Sequence, residues 1–168
     1  MDGIVFGVIV LIAIVIMVAR SANTAQTPKK SPYQYRTKTH FMTSREESFF
    51  RVLTEIVADK YYVFPQVHLS GIIDHKITGQ NWKYAFRHIN GKSVDYVLCD
   101  KSTLKPVYAV ELDDHTHQYK DRAERDTEVE RIFEQTGLPL VRFTDYTSLS
   151  RDDIIARFAA ARSKTEQN

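Results

Sequence analysis

Cysteine is almost absent from this chain. Cys99 stands alone within an apolar stretch, so no internal disulfide can form, and a reducing compartment suits the protein. Long low-complexity tracts are also missing, and 168 residues then leave room for one folded domain of ordinary size and little beyond it. Charge of one sign is lacking as well. All 23 Lys and Arg and 20 of the 21 acids follow residue 19, a balance of about +3 that neither supports nor excludes nucleic acid as a partner.

What is present begins with a run that carries no charge. Gly3 to Ala19 is almost wholly apolar, and as a helix it spans roughly 25 Å, near the lower limit for crossing a bilayer. A cleaved secretory signal carries basic residues ahead of its apolar stretch, whereas here only Met1, Asp2 and Gly3 lead in, and Ala22-Asn-Thr-Ala25 is a poor cleavage site. The basic residues come afterwards, as Arg20, Lys29, Lys30, Arg36 and Lys38. The positive-inside rule then predicts a single transmembrane anchor at 1–20 in the inner membrane, with everything after Arg20 in the cytoplasm. Residues 21–41, rich in Ser, Thr, Pro, Gln and Lys, read as a flexible linker, 42–163 as the folded domain and 164–168 as a disordered tail.

Within the domain, Thr43 and Ser44 each precede a Glu by three residues, and Phe49, Phe50, Leu53, Ile56 and Val57 recur at helical spacing, which predicts a helix over 44–58. Tyr61 to Leu69 is rich in β-branched and aromatic residues, but Pro65 cannot donate to a ladder, so this strand belongs near an edge. A short helix over 81–89 is expected to turn Trp82, Ala85 and Phe86 inward. Ser93–Asp100 and Pro106–Asp113 flank a turn and read as a hairpin of two central strands covered on both faces. A charged helix over 118–136 stops at Gly137, a strand follows over 138–144, and an amphipathic helix starts near Ser150. The order α-β-β-β-α-β with a trailing helix predicts a three-layer α/β core around a mixed sheet, because the helix from Gln118 can cross over to a parallel strand.

The chemistry gathers where an apolar strand ends in acids: Val107-Tyr-Ala-Val-Glu-Leu-Asp-Asp-His-Thr-His117. Positions two apart share a strand face, so Glu111 and Asp113 point together, and across the hairpin Asp95 can join them. Such a cluster repels itself unless a cation neutralises it. Hard oxygen ligands favour Mg2+ or Mn2+, which can activate water and stabilise charge on a phosphodiester. The plainer readings are also defined. Glu46 can serve only as a helix cap, Asp95 can be an ion pair with Arg125 or Arg142, and Phe49, Phe50, Tyr61, Tyr62 and Phe64 are packing residues before they are stacking platforms. His115-x-His117 without a further Cys or His cluster is weak evidence for zinc.

Taken together, Glu46-x-x-Phe-Phe, Val63-Phe-Pro-Gln-Val67, Lys92 to Lys101, Glu111-Leu-Asp-Asp-x-x-His117, Arg125-Asp126 and Gly137 to Arg142 resemble the domain-of-unknown-function family 2726 and, through it, the restriction-endonuclease-like PD-(D/E)XK superfamily and the very-short-patch-repair endonucleases. The resemblance covers roughly Thr43 to Phe143. It implies a metal-dependent endonuclease acting on DNA, with RNA as the lesser candidate and no small-molecule cofactor, and the apolar run 3–19 is expected to tether it to the membrane. Asp95 would be the main metal ligand, completed by Glu111 or the carbonyl of Leu112, with Glu46 orienting a water or ligand and His117 moving a proton or contacting phosphate. Gln66, Asp113, Arg122 and Arg125 would stand behind them or hold phosphate. One departure is evident: Asp113 occupies the place of the superfamily's lysine, so either His117, Lys92 or an arginine supplies the missing charge, or the domain binds nucleic acid or a protein without cutting.

Overall fold

The computed structural model describes the backbone of residues 2–22, 33–113 and 120–167, and the side chains of 3, 6–18, 33–113 and 127–167. It divides into two compact units, Met1–Thr39 and His40–Asn168.

In the first unit the helix α1 runs Asp2–Ala22. Every side chain described between Phe6 and Val18 is exposed, and none carries charge. Among the described residues no helix is long and apolar enough to cross a membrane. The transmembrane segment expected at 1–20 is therefore met as a helix only.

The second unit begins with α2, Ser44–Val57. Its start follows from the capping box expected of Thr43 and Glu46: the backbone N–H of Glu46 donates to Thr43 Oγ1 (3.3 Å), and the backbone N–H of Thr43 donates to Glu46 Oε2 (2.6 Å). Phe49, Leu53 and Val57, four residues apart, form its buried stripe. Next come β1 (Tyr61–His68), a 3-10 turn (Leu69–Gly71), α3 (Trp82–Ile89), β2 (Ser93–Asp100), β3 (Pro106–Leu112), α4 (Lys120–Thr136), β4 (Leu140–Phe143) and α5 (Arg151–Glu166).

The four strands lie in the order β1-β2-β3-β4. β1 and β2 pair antiparallel, as do β2 and β3, while β3 and β4 pair parallel across the α4 crossover. Pro65 thus sits on an edge strand, where its missing N–H costs no ladder bond. The central pair is buried on both faces. Tyr96, Leu98, Val110 and Phe143 pack with Phe49 and Leu53 of α2 and with Ile154 and Phe158 of α5. Val97, Cys99 and Ala109 pack with Ile89 of α3 and with Val129, Ile132 and Phe133 of α4. The mixed α/β architecture with helices on both faces agrees with the sequence reading.

Two boundaries and one side-chain orientation differ from expectation. α5 runs through 164–166, assigned above to a tail, because the Ser150–Asp153 capping box starts a helix with no breaker before its end. β4 holds four residues rather than seven, since Pro139 delays its start and Thr144 already turns away. Trp82, expected to face inward, is 47% exposed because it occupies the first turn of α3, whereas Ile89 at the other end is buried.

Candidate active site

Strand register alone assembles a polar row across the sheet. Tyr96 lies opposite Val110 and Val97 opposite Ala109, so the same register one step on sets Asp95 opposite Glu111. In the parallel pair Glu111 lies beside Arg142. On the other side Pro65 faces Tyr96 and Val67 faces Val94, which puts Gln66 level with Asp95. Gln66, Asp95, Glu111 and Arg142 therefore come one from each strand. Gln66 holds φ at 52°, a left-handed conformation that a non-glycine residue adopts only at a cost of order 1 kcal/mol or more. From there its amide donates to Glu46 Oε1 at 2.9 Å, tying β1 to the first turn of α2.

The two central acids face each other across β2 and β3, and their carboxyls interact directly. Burial and the negative charge of Asp95 push the Glu111 carboxyl up to about 8, against a smaller opposing pull from Arg142. Burial likewise raises Asp95, offset in part by the Leu112 backbone N–H, which donates to Asp95 Oδ2 at 2.7 Å. A half-buried carboxyl pair that keeps a proton near neutral pH is one whose burial and mutual repulsion are not offset by the arginine beside it.

Two arginines frame it. Arg45 donates to the carbonyls of Leu112 (3.4 Å), Asp113 (2.9 Å) and Thr144, pinning the ends of β3 and β4 to α2. Arg142 donates to Asp113 Oδ1 at 2.8 Å and reaches Glu130 at 3.3 Å. Sequence reasoning overlooked Arg45. The available signal was a cation in the first turn of a helix, where the dipole disfavours it unless carbonyls elsewhere hold it. Replacing Arg45 by Ala is expected to lower stability by on the order of 2 kcal/mol, read as an earlier urea midpoint. Arg51→Ala, which loses only an exposed pair with Glu47, should leave the midpoint in place; equal midpoints for the two variants would show that the clamp carries no load.

Among the described residues no group of three or more His, Cys, Asp or Glu is placed to hold a metal ion. The reason is visible in the hydrogen bonds: both Glu46 oxygens are engaged, by Thr43 and Gln66, and Asp113 is bound to Arg142. What remains is the Asp95–Glu111 pair and the Leu112 carbonyl, which keeps a second lone pair beside its long bond from Arg45. That donor set does not fit zinc or an all-protein calcium cage. It does fit Mg2+ or Mn2+, which take one or two carboxylates and leave their other positions to water and substrate phosphate.

Of the residues singled out from the sequence, Glu46, Gln66, Asp95, Glu111, Leu112 and Asp113 are brought together. His117, with Asp114 and His115, lies outside the described residues, and so do the side chains of Arg122 and Arg125 on α4. Lys92 does not supply the missing charge, because its ammonium bonds the His88 carbonyl at the end of α3. The ion pair proposed for Asp95 with Arg142 is instead made by Asp113. Phe49 is packing, as expected, but Tyr62 and Phe64 are 47% and 44% exposed on the edge strand.

Neither a curated protein nor a solved structure matches the chain. Residues 38–161, most of the second unit and the whole polar row, match the family described as Protein of unknown function (DUF2726), and the chain belongs to that family.

Proposed function

We propose that this chain is a membrane-anchored, metal-dependent phosphodiesterase acting on DNA, related to the PD-(D/E)XK nucleases and, within them, to the very-short-patch-repair endonucleases. The observation that carries the reading is the register that sets Asp95 opposite Glu111 at the level where all four strands contribute a polar side chain. In this reading Asp95, Glu111 and the Leu112 carbonyl hold one Mg2+ or Mn2+, which lowers the pKa of a bound water and offsets charge on the phosphate. An ion held there would take the place of the proton that the buried pair retains near neutral pH. Glu46, fixed by Thr43 and Gln66, orients the outer face of the site, and Arg142 takes the part of the absent lysine beside Asp113. His117 is the proposed proton carrier, with Arg122 and Arg125 as phosphate contacts. The uncharged run 3–19 is the proposed inner-membrane anchor, holding the domain at the cytoplasmic face.

A second reading rests on one observation. Asp113 and Arg142 neutralise each other where the superfamily carries a lone lysine, and that arrangement suits a module that binds nucleic acid or a protein without cutting. The test is cleavage of labelled DNA by the full chain in detergent micelles with Mg2+ or Mn2+, set against EDTA and against Asp95→Ala. At least a hundred-fold loss in the variant is expected. Undiminished cleavage by Asp95→Ala, or none by either protein, removes the enzymatic reading.

A further inference from the structure

The polar row does not use the surface of α3. From His75 to Val94 the chain carries Lys76, Lys83, Arg87 and Lys92 and no acid. Within that stretch Tyr84 is 59% exposed and Trp82 47% exposed. Each exposed ring already carries a cation: Arg87 lies 4.4 Å from the Tyr84 ring centre, and Lys83 lies 5.7 Å from that of Trp82. Among the described residues, the carboxylate that pairs with this helix is Glu128, which meets His88 at 3.5 Å and is also bound by Arg131. Exposing two large rings to water is unfavourable unless a partner covers them.

α3 lies over the sheet face that carries the acid pair, since Ile89 packs with Val97 and Ala109, and Asp95 and Glu111 share that face by strand alternation. Its last residue, Ile89, is followed by β2 from Ser93, and Asp95 is the third residue of that strand. A polymer entering the carboxylate pair along α3 would meet flat rings interleaved with positive charge. In a duplex the base faces are stacked on one another and cannot reach such rings, whereas an unpaired strand offers both a π-face and phosphates. A lipid surface is the competing cover for aromatic rings beside lysines, and it forms one arm of the test.

We infer that the outer face of α3 is a binding platform for an unpaired nucleic-acid strand, with Trp82 and Tyr84 stacking bases and Lys83 and Arg87 holding phosphates. This rests on the nucleic-acid part of the proposed function and is independent of cleavage.

Trp82 is the chain's single tryptophan, so its emission reports on the platform directly. The full chain in detergent micelles, in EDTA so that no strand is cut, would be titrated with labelled oligodeoxythymidylate and oligouridylate of about 12 nucleotides, within the site sizes such surfaces cover. A duplex of equal length and vesicles rich in anionic lipid form the comparison arms. Expected results are quenching of Trp82 by either single strand and a roughly 5- to 100-fold weaker affinity for Tyr84→Ala, one stacked base being removed. Trp82→Ala should weaken binding by a similar factor, and Lys83→Gln with Arg87→Gln should reduce the salt dependence of binding. Unchanged emission with unchanged affinity in Tyr84→Ala overturns the inference. So does stronger binding to duplex than to single strand, or a shift of Trp82 emission on vesicles alone. Cleavage without quenching sinks the platform and spares the enzyme, and quenching without cleavage does the reverse.

Discussion

In metal-free buffer at about pH 9, Glu111→Gln melts roughly 10 °C higher than the parent, and near pH 4 the two melting temperatures converge. The sign follows from the buried pair. In the unfolded chain Glu111 titrates at its ordinary 4.5; in the folded protein burial and Asp95 carry it to about 8. Below the lower value it is protonated in both states and costs nothing. Between the two the folded protein retains a proton that the unfolded chain has released, so stability falls as pH rises through this window, and above the upper value the loss is complete. Because Asp95 shares the effect, the loss is set on the order of 3 kcal/mol rather than at the full value of the shift. Glutamine keeps the shape and a donor for Asp95 but never becomes charged. Millimolar Mg2+ at the higher pH should raise the melting temperature of the parent and leave the variant where it is, since the ion replaces the proton between the two acids. Differential scanning calorimetry across pH checks all of this. Parallel curves for parent and variant would mean that water reaches the pair and that it needs no cation.

The second large effect is structural. Phe49 is fully buried, with ring centres 5.7 Å from Tyr96, 5.0 Å from Phe143 and 4.7 Å from Tyr146, so one side chain joins α2 to two strands and to the segment before α5. Phe49→Ala is expected to cost about 3–5 kcal/mol, a large part of the 5–15 kcal/mol that holds a domain folded. Phe49→Leu, which refills most of the cavity, should cost well under half as much. The damage extends to the polar row, because the Tyr96 hydroxyl donates to the Glu46 carbonyl at 2.7 Å and this seat sets the height of α2 over the sheet. Urea unfolding followed by near-ultraviolet circular dichroism measures both consequences. A midpoint near that of Val52→Ala, whose side chain is 37% exposed, would contradict the packing described.

Much of the fold was legible because local and global signals agree. The Thr43–Glu46 capping box, the four-residue stripe of Phe49, Leu53 and Val57, and Pro65 as an edge marker each act over a few residues, and each predicted its element correctly. The pairing of Asp95 with Glu111 was legible for the same reason, since a hairpin with alternating faces leaves few registers. The rest depends on contacts between distant residues. Nothing near Arg45 in sequence says that its guanidinium will hold carbonyls 67 to 99 positions away. Arg142 beside Glu111 follows only from the parallel register, which no turn dictates. Trp82 was misplaced because helical periodicity says little about the first turn, where a side chain has no preceding turn to pack on.

Glu111 and its neighbour Arg142 are separated by the whole α4 crossover. During synthesis the β2–β3 hairpin leaves the ribosome before β4, so the two carboxyls gain their arginine only after Phe143 has cleared the exit tunnel. A nascent chain stalled before that point exposes an incomplete site, so the order of translation itself withholds the finished centre until the last strand of the sheet has emerged.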